Sequence, residues 1–265
     1  MPTEYFELDH GRMAFEQAGE GDPALVFLHA FACDRTFLAP QMEHFAARHR
    51  VVSVDFLGHG ESDTPEIEYR LPRFAEDVAR LIEHLGLKEV VVVGHSMGGG
   101  VALELAAGWP DLVRAAVSID STLIPSIERK EKTLPAILRA LQGPHYLMAA
   151  RRFGGSMVLP SDGEAIKEHV EAVMSSPPRH VLVEMIKGLL AWDGPQALAR
   201  LTRPLLYIGS RRPLTGQAAM LAASPWVQYA QAAGSGHFLT LIVPEQINAM
   251  IQHWLEALPF AEAES

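Results

Sequence analysis

The residues best suited to carry out chemistry lie at positions 94–99, where the sequence reads Gly-His-Ser-Met-Gly-Gly. An apolar run over Val90–Val93 precedes them, and helical spacing over Met97–Ala107 follows. In a G-x-S-x-G turn between a strand and a helix, small residues let the chain turn sharply and lift the serine hydroxyl above the sheet. The first amides of the helix then point to where negative charge would develop. The pattern predicts a nucleophilic Ser96, the alternative being a glycine-rich turn whose serine has no role.

A serine hydroxyl needs a base that removes its proton, and His237 is the candidate. It lies in a glycine-rich loop, residues 234–238, that follows the last predicted strand. A neutral imidazole there can take the serine proton and return it to a leaving group. His253 is closer to the carboxyl terminus, but it falls in the middle of a predicted helix and is expected to face solvent.

The third member of such a relay is an acid that orients the histidine, and here the candidate is Asp120. The loop at 209–213, Gly-Ser-Arg-Arg-Pro, follows a late strand and holds no carboxylate. Asp120 directly follows the predicted strand Ala115–Ile119 and is the only acid at the carboxyl end of a predicted strand between the serine and the histidine. Two alternatives remain open: Asp120 caps a turn, or the serine and histidine form a dyad with water or Ser210 behind the imidazole.

The elements that must position these residues alternate between strands and helices. Short apolar or alternating runs predict eight strands, at Tyr5–Leu8, Met13–Glu16, Ala24–Leu28, Val51–Val54, Glu89–Val93, Ala115–Ile119, Leu205–Ile208 and Val227–Gln231. Because helical segments separate most of these strands, the sequence predicts an α/β fold with a doubly wound, mostly parallel eight-stranded sheet.

Residues 121–201 interrupt this alternation with helical segments and no clear strand. Helices are predicted there at Thr133–Leu141, His145–Arg152, Asp162–Met174 with Ser161 as its N-cap, and Arg179–Trp192. A segment of about eighty residues is long for a simple connection. We therefore divide the chain into a core of residues 1–120 and 202–265 and a helical cap, or lid, of residues 121–201.

Four motifs together resemble the α/β-hydrolase superfamily, in its small esterase-like branch. They are residues 28–31 (Leu-His-Ala-Phe), 54–62 (Val-Asp-Phe-Leu-Gly-His-Gly-Glu-Ser), 94–99, and 236–238 (Gly-His-Phe). The resemblance covers nearly the whole chain and implies a serine hydrolase. It implies cleavage of a small, largely apolar ester or related acyl compound through an acyl-enzyme, with no cofactor.

The resemblance also implies an oxyanion hole made of two backbone amides, those of Phe31 and Met97. Relatives usually carry glycine at the position of Ala30, and alanine tolerates most of that geometry. Many relatives place the acid in the loop that here lacks one. Asp120 is similar to the acid of haloalkane-dehalogenase-like and cofactor-free dioxygenase-like members, in which it has moved to the preceding strand.

Two other functions remain open. A cofactor-free dioxygenase uses a comparable histidine and acid to deprotonate a heteroaromatic substrate, although Met97 after the serine favours an esterase; oxygen uptake with a hydroxyquinolone would discriminate. A hydrolase-like receptor or signalling module is the second alternative, because residues 31–34 (Phe-Ala-Cys-Asp) resemble such members. Tight ligand binding with negligible ester turnover would favour it.

The composition of the chain limits the classes of partner and the cellular location that we expect for it. The formal net charge of −10 disfavours nucleic acid. The single cysteine, Cys33, permits no intrachain disulfide, which fits a cytoplasmic location. Met1–Asp9 lacks the features of a signal peptide, and no apolar run approaches the roughly 18 residues of a membrane span, so no membrane partner is expected.

The expected partner is a small-molecule substrate, and a homo-oligomer is left open. His29 and His95 flank the predicted site, but no H-x-x-x-H or paired Cys/His spacing indicates a metal. Both are expected to hydrogen-bond within the protein. Disorder is expected only at the tail, Glu262–Ser265.

Overall fold

Eight strands form one sheet in a computed structural model, which describes residues 2–258. The strands are β1 (Glu4–Leu8), β2 (Gly11–Ala18), β3 (Leu25–Leu28), β4 (Val51–Val54), β5 (Val90–His95), β6 (Val113–Ile119), β7 (Leu205–Gly209) and β8 (Val227–Gln231). Their order is β1-β2-β4-β3-β5-β6-β7-β8. β1 is antiparallel to β2 and β2 to β4, while the other neighbours are parallel. The predicted α/β fold with a mostly parallel, eight-stranded sheet is confirmed.

Helices cover both faces of this sheet. They are α1 (Ala39–Phe45), α2 (Leu71–His84), α3 (Met97–Gly108), α4 (Leu134–Gln142), α5 (Tyr146–Ser156), α6 (Glu164–Met174), α7 (Arg179–Ala191), α8 (Gly194–Arg200), α9 (Gln217–Ala223), α10 (Leu239–Ile242) and α11 (Pro244–Ala257). Two short 3₁₀ helices lie at Arg35–Leu38 and Pro160–Asp162, and a π-helical turn at Arg129–Thr133 leads into α4. Helices α4 to α8 lie between β6 and β7 in the chain. The predicted disorder of residues 262–265 lies outside the described residues.

The central strand β5 shows why the sheet is buried on both faces. Val92 belongs to the core shared with α2 and α3, whereas Val91 and Val93 belong to the core shared with α1 and α11. Alternate side chains of a strand point to opposite faces, so a strand between two helical layers must be apolar throughout. Burying one such valine side chain stabilises the fold by about 1.5–3 kcal/mol. The carboxyl ends of β5 and β6 are therefore held on a rigid support.

The predicted start of the helix near residue 162 is wrong. Ser161 does not cap it, because Pro160–Asp162 forms a 3₁₀ turn and α6 begins only at Glu164. Between them Gly163 has φ 94°, a left-handed conformation that favours glycine. The carboxylate of Asp162 instead accepts hydrogen bonds from the amides of Leu159 and Gly236.

Two further helices differ from the sequence prediction: one was not predicted, and the other begins later than predicted. Helix α8 is absent from the predictions, although the carboxylate of Asp193 accepts a hydrogen bond from the amide of Gln196 at its start. Helix α9 begins three residues later than the predicted Leu214, because the amide of Leu214 donates to Asp120, directly after β6, and that of Thr215 to Tyr207 on β7. Tertiary hydrogen bonds thus override local helical preference here.

Within residues 2–258, none of the helices has both the length and the apolar composition that crossing a membrane requires.

Candidate active site

Ser96 lies at the sharp turn between β5 and α3. Its backbone has φ 54° and ψ −113°, a conformation rarely adopted by a residue with a side chain. A Cβ atom on Gly94 would lie 2.0 Å from the carbonyl oxygen of Gly98, and one on Gly98 would lie 2.2 Å from that of Leu28. The glycines of the motif are therefore required by close backbone packing, which holds the serine in its strained position.

The side chains of Ser96, His237 and Asp120 form one continuous hydrogen-bonded chain. Nδ1 of His237 lies 2.8 Å from Oδ2 of Asp120, and its Nε2 lies 2.9 Å from Oγ of Ser96. An ionised carboxylate can only accept, so Nδ1 carries the proton and donates it to Asp120. Nε2 is then free to accept a hydrogen bond from the serine hydroxyl. This is the geometry in which a histidine serves as the base of a nucleophilic serine.

Asp120 is fixed from two sides. Its backbone has φ 43°, and its Oδ1 accepts hydrogen bonds from the amides of Ser210 (3.1 Å) and Leu214 (3.2 Å). Burial raises the pKa of Asp120, but the hydrogen bond and charge of His237, together with those two amides, lower the pKa below its ordinary value. Asp120 is thus ionised near neutral pH. The loop without a carboxylate contributes its backbone amides instead.

The two alternatives considered for Asp120 do not match this arrangement. Its carboxylate bonds to His237 and to the loop after β7, rather than capping the first turn after β6. The hydroxyl of Ser210 accepts a hydrogen bond from the amide of Arg212, and Asp120 occupies the position behind the imidazole.

Phe31 and Met97 both line the cavity that contains Ser96. Among the described residues, neither backbone amide donates a hydrogen bond to another group. The loop after β3 is held by His29, whose Nδ1 donates to the carbonyl of Ala30 at 2.8 Å and whose Nε2 accepts from the amide of Phe56 at 3.1 Å. The positive φ in this loop falls on Ala32 (55°), one residue after Phe31.

His237 is held from the core side by His95. Nε2 of His95 donates to the carbonyl oxygen of His237 at 2.8 Å, and the two rings lie 4.8 Å apart. Burial, helped by the charge of His237, lowers the pKa of His95 to about 3. The neutral His95 ring therefore positions the His237 backbone without adding a competing charge.

The same loop is held from the other side by residues that sequence reasoning missed. The amide of His237 donates to the carbonyl of Met157 at 3.4 Å, and that of Gly236 donates to Oδ1 of Asp162 at 3.3 Å. These contacts join residues 74 or more positions apart, and no local pattern signals them. Helices between β6 and β7 thus contact the loop of the predicted base directly.

A small, mostly apolar cavity of about 50 Å³ adjoins Ser96. Its apolar walls include Phe31, Leu71, Phe153, Leu189 and Trp192. Nε1 of Trp192 donates to Glu104 at 2.7 Å, and Arg200 pairs with the other oxygen of Glu104 at 2.9 Å. A larger cleft of about 810 Å³ lies on the Asp120 side of His237, between α4, α5 and the loop after β7. Within residues 2–258, no three His, Cys, Asp or Glu side chains are grouped so as to hold a metal ion.

The buried histidines also make the stability of the protein depend on pH. Burial lowers the pKa of His29 and of His59, and it lowers that of His95 from 6.5 to about 3. Below pH 6.5 the unfolded chain therefore binds more protons than the folded one, so the free energy of unfolding rises with pH in this window. Each of these histidines contributes up to about 1.4 kcal/mol per pH unit.

We therefore expect urea denaturation to show a falling free energy of unfolding as pH drops from 7 to 5. The variant His95→Asn should show a shallower dependence, whereas His253→Asn, at an exposed helical position, should retain the original slope. A free energy of unfolding that does not change between pH 7 and 5 would contradict the lowered pKa values of these buried histidines.

Comparison with known proteins agrees with this fold. A family model described as "alpha/beta hydrolase fold" matches residues 23–153. The RutD protein of Caulobacter vibrioides, named for carbamate hydrolysis, is 30% identical over 230 residues, which cover 83% of this chain and 85% of that protein. The chain belongs to the alpha/beta hydrolase fold family. The resemblance inferred from the sequence motifs is confirmed.

Other proteins similar to this chain differ in length or share only the fold. The uncharacterized protein Rv2715 of Mycobacterium tuberculosis is 31% identical over 205 residues, which cover 77% of this chain and 58% of that protein. The chain thus spans little more than half of that relative. An esterase structure from Thermogutta terrifontis superposes with a TM-score of 0.84 at 24% identity, over 97% of this chain and 98% of that one. The Caulobacter vibrioides relative is thus named a hydrolase, and the Thermogutta terrifontis protein an esterase.

Proposed function

We propose that this enzyme is a serine hydrolase that cleaves a small, largely apolar ester, or a related acyl compound, through an acyl-enzyme. The observation that carries the proposal is the hydrogen-bonded chain from Asp120 through His237 to Ser96, which ends at a mostly apolar cavity. The substrate is a small molecule, since that cavity measures about 50 Å³. No cofactor takes part in the steps below.

The reaction takes place in two halves. Oγ of Ser96 attacks the carbonyl carbon while its proton passes to Nε2 of His237, and the oxyanion accepts hydrogen bonds from the amides of Phe31 and Met97. The bond to the leaving group then breaks, and the imidazolium gives its proton to the departing oxygen. Water next attacks the acyl carbon and passes a proton to His237, which returns it to Ser96 as the acid leaves. Asp120 stabilises the imidazolium in both halves.

Residues 121–201 act in this proposal as the cap over the site, with residues 1–120 and 202–265 as the core. The support is that Phe153 of α5, Leu189 of α7 and Trp192 line the same cavity as Ser96. Apolar walls of this kind exclude water and set which acyl group fits.

The proposal is tested with p-nitrophenyl esters of graded acyl length, from acetate to decanoate. The value of kcat/KM should be largest for the short acyl groups and should fall as the chain outgrows the cavity. The proposal would be contradicted if the protein hydrolysed none of these esters. Oxygen uptake with a hydroxyquinolone would then support a cofactor-free dioxygenase, and tight ligand binding without turnover would support a receptor.

Trp192 is expected to limit acyl length. Its ring lines the cavity beside Leu71, and a Cβ atom on Gly100 would lie 3.1 Å from it, so this wall is closely packed. Trp192→Ala should raise the ratio of kcat/KM for hexanoate to that for acetate by about tenfold, which corresponds to burying about two more methylene groups at about 0.8 kcal/mol each. Trp226→Ala removes a 44% exposed tryptophan that does not line this cavity and serves as the matched control. An unchanged ratio in Trp192→Ala would exclude this role.

A further inference from the structure

The walls around Ser96 and His237 have a charge opposite to that of the chain. The protein carries a formal net charge of −10. Within the described residues, the only carboxylate that lines the cavity or the cleft is that of Asp120, which is already bonded to His237. Five cationic side chains line the same two spaces: Arg129, Lys130, Arg139, Arg152 and Arg212. Such a concentration of one sign of charge raises the local concentration of a ligand of the opposite sign.

Arg129 stands apart from the other four cations because it lines both the cavity and the cleft. Its Nε is buried without a hydrogen-bond partner, and its guanidinium forms no ion pair with any carboxylate of residues 2–258. Burial lowers the pKa of Arg129, while the charge of Asp120 acts in the opposite direction. Arginine nevertheless remains charged in proteins. Leaving Nε of a partly buried guanidinium unpaired is costly, which favours a ligand that supplies the missing acceptor.

The backbone around Arg129 is also unusual. The residue begins the π-helical turn Arg129–Thr133, and its amide donates to the hydroxyl of Ser126 at 3.2 Å. Turns of π-helix are rare and occur frequently at functional sites. The turn lies in the chain between Asp120, which directly follows β6, and α4. Its Arg129 side chain lines the cavity together with Ser96 and the cleft together with Asp120.

We propose that Arg129 binds a carboxylate of the substrate, so that the enzyme prefers esters that carry a negative charge close to the scissile carbonyl. This inference rests on the proposed serine hydrolase function and names its substrate class. A guanidinium presents parallel N–H donors that match the two oxygens of a carboxylate. The apolar part of the substrate occupies the cavity at Ser96.

The charge can lie on either half of the ester, so the test uses two matched pairs. Monomethyl succinate and methyl 4-methylpentanoate differ only in a terminal carboxylate or isopropyl group on the acyl half. Acetoxyacetate and isobutyl acetate differ in the same way on the alcohol half. Acid release is followed by titration at constant pH. In the native enzyme, kcat/KM should be at least tenfold higher for the charged member of one pair, and that pair identifies the half bound by Arg129.

Arg129→Gln should abolish this preference. We expect kcat/KM for the preferred charged ester to fall about 10- to 100-fold, in line with the loss of a charge-assisted hydrogen bond. The neutral partner should change less than threefold. Arg151→Gln removes an exposed positive charge from α5 that lines neither space, and it should leave the ratio within twofold. Arg129→Lys should retain part of the preference, and thermal unfolding verifies that each variant is folded.

Two results would overturn the inference while leaving the proposed function intact. One is equal hydrolysis of charged and neutral esters by the native enzyme. The other is an equal loss for both esters in Arg129→Gln, which would mean that Arg129 acts only through the charge of Asp120. Binding of both charged esters to Ser96→Ala, measured by calorimetry, adds a readout that needs no turnover. Binding that weakens at least tenfold with Arg129→Gln supports the carboxylate site even if ester hydrolysis fails.

Discussion

Ser96→Ala should lower kcat/KM for the best p-nitrophenyl ester by about 10⁴- to 10⁶-fold. The members of a nucleophilic relay act as a unit, so removing the attacking oxygen loses the contribution of His237 and Asp120 as well. The remaining rate would come from binding and from the amides of Phe31 and Met97. Because the variant removes a single oxygen atom from a partly buried side chain, its thermal stability should remain close to that of the native protein.

A fluorophosphonate probe gives an independent measurement of the same nucleophile. Mass spectrometry should find the label on Ser96 and on no other residue, and Ser96→Ala should prevent labelling. Ser210→Ala is the matched control and should leave kcat/KM within threefold. Among residues 2–258, the hydroxyl of Ser210 bonds only to the amide of Arg212. Label on another residue, or undiminished activity in Ser96→Ala, would disprove the nucleophile.

The strands were predictable because buried strands of this sheet consist of short runs of mostly apolar residues, which are visible in the local sequence. The predicted strands Ala24–Leu28 and Val51–Val54 match β3 and β4 to within one residue. The order of the strands was not predictable in this way. β4 lies between β2 and β3 through pairings of Phe15 with Val54 and of Leu28 with Val54, which join residues about 25 to 40 positions apart. Local periodicity carries no information about such pairings.

The candidate site likewise contains residues that the sequence predicts and residues that it does not. Neighbouring glycines indicate Ser96 and His237 in the sequence, and the position at the end of a predicted strand indicates Asp120. Asp162 and Arg129 carry no comparable signal, because their importance arises only from what the fold brings near them. Asp162 accepts a hydrogen bond from the amide of Gly236, 74 residues away in the chain. Nε of Arg129 is buried without a hydrogen-bond partner among the described residues. Sequence patterns therefore indicate candidate catalytic residues more readily than residues that position the catalytic loop or select the substrate.

Asp120→Asn should lower kcat/KM about 10³- to 10⁴-fold without loss of the fold. The structure explains why such a small change has so large an effect. The amides of Ser210 and Leu214 both donate to Oδ1, so the asparagine oxygen must face them and its NH₂ group must face His237. Nδ1 of His237 then has to accept a hydrogen bond, which moves the ring proton to Nε2 and leaves no base facing Ser96.

The second acid position offers a way to test that explanation. Many enzymes that this sequence resembles carry the acid in the loop where Ser210 lies, so Ser210→Asp added to Asp120→Asn should restore at least tenfold of the lost kcat/KM. The single variant Ser210→Asp, in which Asp120 still orients the imidazole, controls for effects of the new charge. Circular dichroism and thermal unfolding show whether the variants are folded. If Asp120→Asn turned over esters at nearly the native rate, Ser96 and His237 would have to act as a dyad, and the hydrogen bond of Asp120 would only support the loop after β7.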